Sequence, residues 1–229
     1  MKTASNILKN KQPLGATAYQ EIYRKIITLE YEPGQRLEEH QLVKDLGIGR
    51  TPVREALLNL AADLMVESQP NKGYVVRPIT LQNTKAAFAA LKVLELGVAD
   101  LAIRHDVAPF LPLMEKANRE VAAATEQMNV LRLVEANNAF HIHFARCSRN
   151  IYLIEGLHKV RCETSRLAYL SYGNEIDPCK SLHEHYDSVI RQHDAIINFI
   201  KERDEARLKE TVCEHIEIFK NRIIKYLAS

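Results

Sequence analysis

Apolar and polar positions follow two regimes along this chain. As far as Pro78 the apolar runs are short and broken by turn-forming residues, whereas from Thr80 onward helical spacing continues and Gly and Pro become sparse. In the first regime the spacing predicts an amphipathic helix from about Thr17 to Leu29, a turn at Glu32-Pro33-Gly34, a helix from about Glu38 to Leu46 and a break at Gly47-Ile48-Gly49. A further helix is expected to open at Thr51 and run to about Ala62. Thr51 would be its N-cap and Pro52 its first helical residue, where a missing N–H removes no bond. Two short apolar segments, Leu64 to Glu67 and Gly73 to Val76, flank the polar stretch from Ser68 to Lys72 and predict a hairpin. A helix pair followed by a hairpin is the pattern of a winged helix-turn-helix.

The second regime shows no strand-like alternation and predicts an all-α bundle of six or seven helices. The expected fold class is therefore mainly α, with a winged helix-turn-helix over residues 1–78 and a helical bundle over residues 79–229. Arg77-Pro78-Ile79-Thr80 forms the junction, and Thr80 is placed to cap the next helix, so the linker is short and the two parts should be mechanically coupled. Three histidines of the bundle stand on apolar stripes. His193 follows Ile190 and precedes Ile197, His215 follows Val212 and precedes Phe219, and His141 lies between Asn137 and Phe144, so each imidazole should point inward. A buried imidazole needs partners. Either each is hydrogen-bonded within the core, or the three converge on one borderline metal such as zinc or nickel. Asn137, one turn before His141, is spaced to share a ligand with it, while His143, His183 and His185 lack the stripe placement and read as surface or supporting groups.

Composition narrows the class without naming a function. In 229 residues, 46% apolar and 26% charged is ordinary soluble composition with room for two domains. No stretch approaches the roughly 20 apolar residues that span a bilayer, and Met1 to Gln12 is polar, which argues against a membrane partner or a signal peptide and for a cytoplasmic protein. Cys147, Cys162, Cys179 and Cys213 are spaced without C-x-x-C pairing and are expected to be reduced thiols. A net charge of +2 does not by itself call for nucleic acid, so any DNA affinity must come from where the basic residues sit.

They sit suggestively. Val53, Leu57 and Leu60 would face the core of the third helix, which leaves Thr51, Arg54 and Glu55 outward, with Arg50 just before them. In a helix-turn-helix the second helix presents its first turns to the major groove, where Arg reads guanine and hydroxyls hold phosphates. Lys72, between Asn71 and Gly73 at the hairpin tip, would place a charge against phosphates or in the minor groove, and Lys25 and Arg36 would add backbone contacts. The alternative is a small helical domain with solvated arginines.

The run Gly34-Gln35-Arg36-Leu37-Glu38-Glu39, then Leu42, Leu46-Gly47 and Gly49-Arg50-Thr51-Pro52-Val53-Arg54-Glu55-Ala56-Leu57, resembles the GntR family of bacterial repressors, and Asn71-Lys72-Gly73-Tyr74-Val75-Val76 resembles that family's wing. The resemblance implies operator DNA bound by a homodimer through Arg50, Thr51, Arg54 and the wing tip. Two departures concern the half-site: Leu64-Met65 where the family often has Gly-Leu, and His40 where some relatives carry a DNA-contacting Arg.

The bundle is similar to the FCD ligand-binding domain of the FadR subfamily. The similarity runs through Leu94-Glu95, Ala99-Asp100-Leu101-Ala102, Phe140-His141, Ser148-Arg149-Asn150, His193, Asp204, Ala206 and His215-Ile216. It implies a divalent transition metal on Asn137, His141, His193 and His215, and a small organic acid as effector. Asn137 departs from the family's Asp, which removes a negative charge from the ligand set. Arg146, Arg161 and Arg166 are candidates to pair with an effector carboxylate, and Leu91 stands where many relatives have Arg. The leading expectation is a regulator, with no catalytic residues, in which effector binding shifts the orientation of two recognition helices. Two alternatives are a metal-dependent hydrolase built on the three histidines and a purely structural role for them.

Overall fold

The structure, a computed structural model, describes residues 13–70, 73–172 and 182–228. Asn71 and Lys72 at the wing tip, and Cys179, lie outside the described residues.

The first unit comprises α1 (Leu14–Ile27), β1 (Arg36–Leu37), α2 (Glu39–Leu46), α3 (Arg50–Ala62), β2 (Val66–Gln69) and β3 (Gly73–Val76). Helix α1 packs on α3, burying Ala18, Ile22 and Ile26, while α3 buries Val53, Ala56, Leu57 and Leu60, the stripe that its spacing predicts. Each valine, leucine or isoleucine so buried stabilises the unit by roughly 1.5–3 kcal/mol.

Three details differ from expectation. Gly49, not Thr51, is the N-cap of α3, and Arg50 is its first residue. Pro52 thus sits third, still among the positions whose N–H has no intrahelical acceptor, so the proline is equally tolerated there. The hairpin is one part of a three-stranded antiparallel sheet in the order β1-β3-β2, because Arg36 and Leu37 pair with Val75 and Tyr74. A two-residue strand has no periodicity to read. Finally, β2 begins at Val66 because Leu64 closes α3 in the left-handed region (φ 62° is its counterpart at Leu29; Leu64 itself has φ 60°), with Met65 N–H donating to the Leu60 carbonyl.

The second unit is all helix: α4 (Leu81–Ala102), α5 (Leu111–Glu126), α6 (Val130–Cys147), α7 (Ile151–Tyr172), α8 (Leu182–Glu202) and α9 (Glu205–Ala228). Thr80 caps α4 as expected, its hydroxyl accepting the Asn83 N–H at 3.1 Å. The helices close a ring in the order α5, α6, α7, α4, α9, α8, and α6 also meets α4 across the middle. No described helix is long and apolar enough to cross a membrane. The units meet along α7, which packs on α1, and at the junction, where the fully buried Arg166 donates to the Arg77 carbonyl at 2.7 Å.

Candidate functional site

Two sites emerge, one on each unit. On the first, Arg36, His40, Arg50, Thr51, Arg54 and Gly73 are all exposed, and Gly73 adopts a φ of +81° that favours glycine at the start of β3. Acidic neighbours hold the basic groups in place. The Nε atoms of Arg50 and Arg54 donate to one oxygen of Glu39 at 3.2 and 2.8 Å, while Arg36 and His40 lie 4.0 and 3.3 Å from Glu38. Desolvation pushes the Glu39 carboxyl up, but the two arginines outweigh it and hold the carboxyl below the usual range. Glu39 is a residue that sequence reasoning missed: it lies at the start of α2, eleven and fifteen residues from its partners, and only the turn between α2 and α3 brings them together.

In the second unit every helix contributes to one buried centre. His141 comes from α6, His193 from α8 and His215 from α9, each at most 7% exposed, with one ring nitrogen of each lying within 4.8 Å of the others. The Nδ1 atoms all face oxygen: Glu95 Oε1 of α4 at 3.1 Å from His141, Asn118 Oδ1 of α5 at 2.9 Å from His193, and Gln192 Oε1 at 3.0 Å from His215. Asn118 is fixed in that orientation because its amide nitrogen donates to the Ile190 carbonyl and to Asp194. His193 and His215 hydrogen-bond through Nδ1, whereas His141 Nδ1 lies close to Glu95 without making a hydrogen bond; in the tautomer with Nδ1 protonated on each ring, the three Nε2 lone pairs face inward. Those of His141 and His215 are 3.2 Å apart, and His193 Nε2 has no partner. Burial first, then the neighbouring imidazoles or Arg161, keeps all three histidines neutral by holding them well below the usual range.

Two facing lone pairs repel unless something electrophilic lies between them. Neutral imidazoles with Nδ1 turned toward oxygens, two of them hydrogen-bonded there, form a donor set suited to a borderline divalent metal. Asn137, 7% exposed on the same helix as His141, adds a carbonyl oxygen without a partner. Phe140 stacks on His193, with ring centroids 3.7 Å apart, and limits its rotation.

The three arginines separate. Arg161 of α7 is buried and paired to Glu95, which therefore bridges Arg161 and His141. Arg166 is turned away, toward Glu163 and the Arg77 carbonyl, and Arg146 is exposed on the far side of α6. Neither lines the cavity beside the histidines, which is formed by Asn137, Arg161, Tyr172, His215 and Phe219 among others and measures only about 10 Å³. His185, read as a surface or supporting group, is buried against Tyr172. Glu95, Asn118 and Gln192 were not singled out as partners. Glu95 had a signal, because it shares a stripe with Leu91 and Val98, where a carboxylate must find a cation.

The profile of the bacterial regulatory proteins of the gntR family matches residues 14–76, and that of the FCD domain matches residues 86–218. The chain belongs to the GntR family and carries an FCD domain. Similar chains include the HTH-type transcriptional regulator YdhC of Bacillus subtilis strain 168, 24% identical over 87% of this chain and 89% of that one, and the HTH-type transcriptional repressor RspR of Escherichia coli K12, 22% identical over 94% and 91%. Among solved structures, E. coli McbR/YncC superposes with a TM-score of 0.77 at 19% identity, over 95% of this chain and 99% of that one. A putative GntR regulator from Rhodococcus sp. RHA1 gives 0.71 at 18% identity, over 92% and 97%. At such identities the structures speak for the fold. GntR proteins are transcriptional regulators that bind operator DNA, so this chain is a regulator and not an enzyme.

Proposed function

We propose that this GntR regulator is a repressor that binds its operator as a homodimer, with residues 1–78 reading DNA and residues 79–229 sensing a small carboxylate through a metal-dependent centre. The reading unit would use Arg50, Thr51 and Arg54 at the start of α3, Arg36 and His40 beside them, and a wing tip of Asn71, Lys72 and Gly73. His141, His193 and His215 would hold a divalent transition ion, zinc or nickel, with Asn137 as a neutral oxygen neighbour. When bound, such an ion supplies a Lewis-acid position for a carboxylate oxygen. Arg161 supplies the matching guanidinium, already oriented by Glu95.

The observation that carries this reading is the arrangement of the three imidazoles, each with Nδ1 facing an oxygen at 2.9 to 3.1 Å and Nε2 turned toward the others. The cavity favours a second role for the ion. About 10 Å³ is room for one water, so a carboxylate effector needs Tyr172 or Phe219 to move aside, and an ion that only braces the six helices fits the space as it stands.

Metal analysis of the untagged protein together with operator titration separates these readings. Close to one equivalent of metal per chain, lost in His193→Gln, and a carboxylate response that needs the metal support the sensing role. Metal without any carboxylate response supports the bracing role. Metal-free protein from metal-rich medium, with an operator response intact, would sink both.

A further inference from the structure

Asn118 of α5 is buried, and both ends of its side-chain amide are engaged. Nδ2 donates to the Ile190 carbonyl at 3.1 Å and to Asp194 Oδ1 at 2.8 Å, while Oδ1 stands 2.9 Å from His193 Nδ1. An amide nitrogen has two hydrogens, and both are spent on acceptors of α8. The reversed amide would set its oxygen against the Ile190 carbonyl and the Asp194 carboxylate, acceptor against acceptor. Oδ1 is therefore the atom on His193, and because it can only accept, His193 carries its proton on Nδ1. Its Nε2 is then a bare lone pair, buried and without a hydrogen-bond partner.

The other two rings lack such a constraint. His215 Nδ1 lies 3.0 Å from Gln192 Oε1, but the Gln192 amide nitrogen makes no hydrogen bond among the described residues, so nothing there opposes a reversed amide. His141 Nδ1 lies 3.1 Å from Glu95 without a hydrogen bond. The Nε2 atoms of these two rings stand 3.2 Å apart, within reach of a hydrogen bond through one proton between them. An ion entering the centre must displace any proton held there, whereas His193 has none to lose on Nε2.

We propose that Asn118, clamped by Asp194 and the Ile190 carbonyl, is a positioning residue that fixes the tautomer of His193 and makes this ring the pre-formed ligand of the centre. The tautomer follows from the clamp alone; its use for an ion rests on the metal reading given above. Without Asn118 the ring is free to carry its proton on Nε2 and donate it to a neighbouring imidazole, which closes the position an ion would take. Asp194 is exposed, so the arrangement of a fully buried ring is set in part from the surface of α8.

The test uses the full chain, stripped of metal and carrying heavy nitrogen in its imidazoles. Long-range proton–nitrogen correlations report the tautomer of each ring, and His193→Gln identifies the signals of His193. Wild-type His193 should be protonated on Nδ1, and Asn118→Leu should move the proton to Nε2. Zinc affinity, measured by competition with a chromophoric chelator, should fall about 10–100-fold in that variant, the usual cost of losing the group that orients a ligating imidazole. Asp194→Asn keeps an acceptor and should match wild type, whereas Asp194→Ala should lose roughly threefold, because the Ile190 carbonyl remains. These two variants alter an exposed position, so they decide the matter even where Asn118→Leu fails to fold. An Nε2 proton in wild type, an unchanged tautomer in Asn118→Leu, unchanged zinc affinity despite a moved proton, or no difference between the two Asp194 variants would each overturn the proposal. A wild-type chain that binds no zinc sinks the metal reading instead, and the tautomers of the metal-free rings still decide the clamp.

Discussion

A single carboxylate, Glu39, holds both arginines of α3, so using them on a duplex as proposed means exchanging that partner for phosphates or base edges. Removing its charge in Glu39→Gln should raise affinity for any duplex several-fold, on the order of 1 kcal/mol for exposed pairs, and steepen the salt dependence. A fluorescence anisotropy titration against random DNA at two salt concentrations checks this, and an unchanged curve would mean the pairing is incidental. Arg54→Ala acts in the other direction. On the proposed base-reading role of Arg54, it should lower affinity for a duplex selected by the protein itself by about 1–3 kcal/mol while affecting random DNA much less, because base contacts specify and phosphate contacts only position.

At the level of the elements, the end of α3 carries an avoidable cost. Leu64 holds φ 60° where glycine is at ease, and its side chain is 44% exposed, so little packing compensates. Leu64→Gly should stabilise the protein by about 0.5–1 kcal/mol in urea unfolding, the strain relieved being partly offset by the flexibility gained in the unfolded chain. A loss of stability would show that the leucine contributes packing beyond what its exposure suggests. The wing is likewise an element that relies on the rest of its unit: β3 is held on one side by β2 and on the other by the two residues of β1, so the strand leading into α2 braces the hairpin.

For the whole molecule, the histidine centre is the point at which all six bundle helices meet, through Glu95, Asn118, His141, Arg161, His193 and His215. Glu95→Ala leaves Arg161 buried without its counter-charge and should destabilise the fold by about 3–5 kcal/mol, read as a lower urea midpoint. The same centre sets a pH dependence. In metal-free protein the three histidines stay neutral when folded, but in the unfolded chain they take up protons below about pH 6.5. The unfolded state then binds more protons, so stability is level above that pH and falls as pH drops below it, by up to about 1.4 kcal/mol per unit for each histidine. Unfolding midpoints at pH 7.5 and 5.5 in the presence of a chelator measure this. A slope no shallower in the triple Gln variant would assign the effect to other groups.

The sequence by itself determined the elements and the class of molecule. The Val53-Leu57-Leu60 stripe placed the arginines of α3 outward, Thr80 marked the start of α4, and the apolar neighbours of His141, His193 and His215 turned those rings inward, because burial periodicity and capping are local properties of a helix. Tertiary structure alone decided which residues share a site. Glu39 reaches Arg54 across a turn, Glu95 reaches His141 and Arg161 across three helices, and Arg166 and Arg146 leave the cavity that Arg161 enters. These pairings depend on the angle and height at which one helix packs against another. Those follow from the fit of many side chains at once and leave no periodic trace in any single segment.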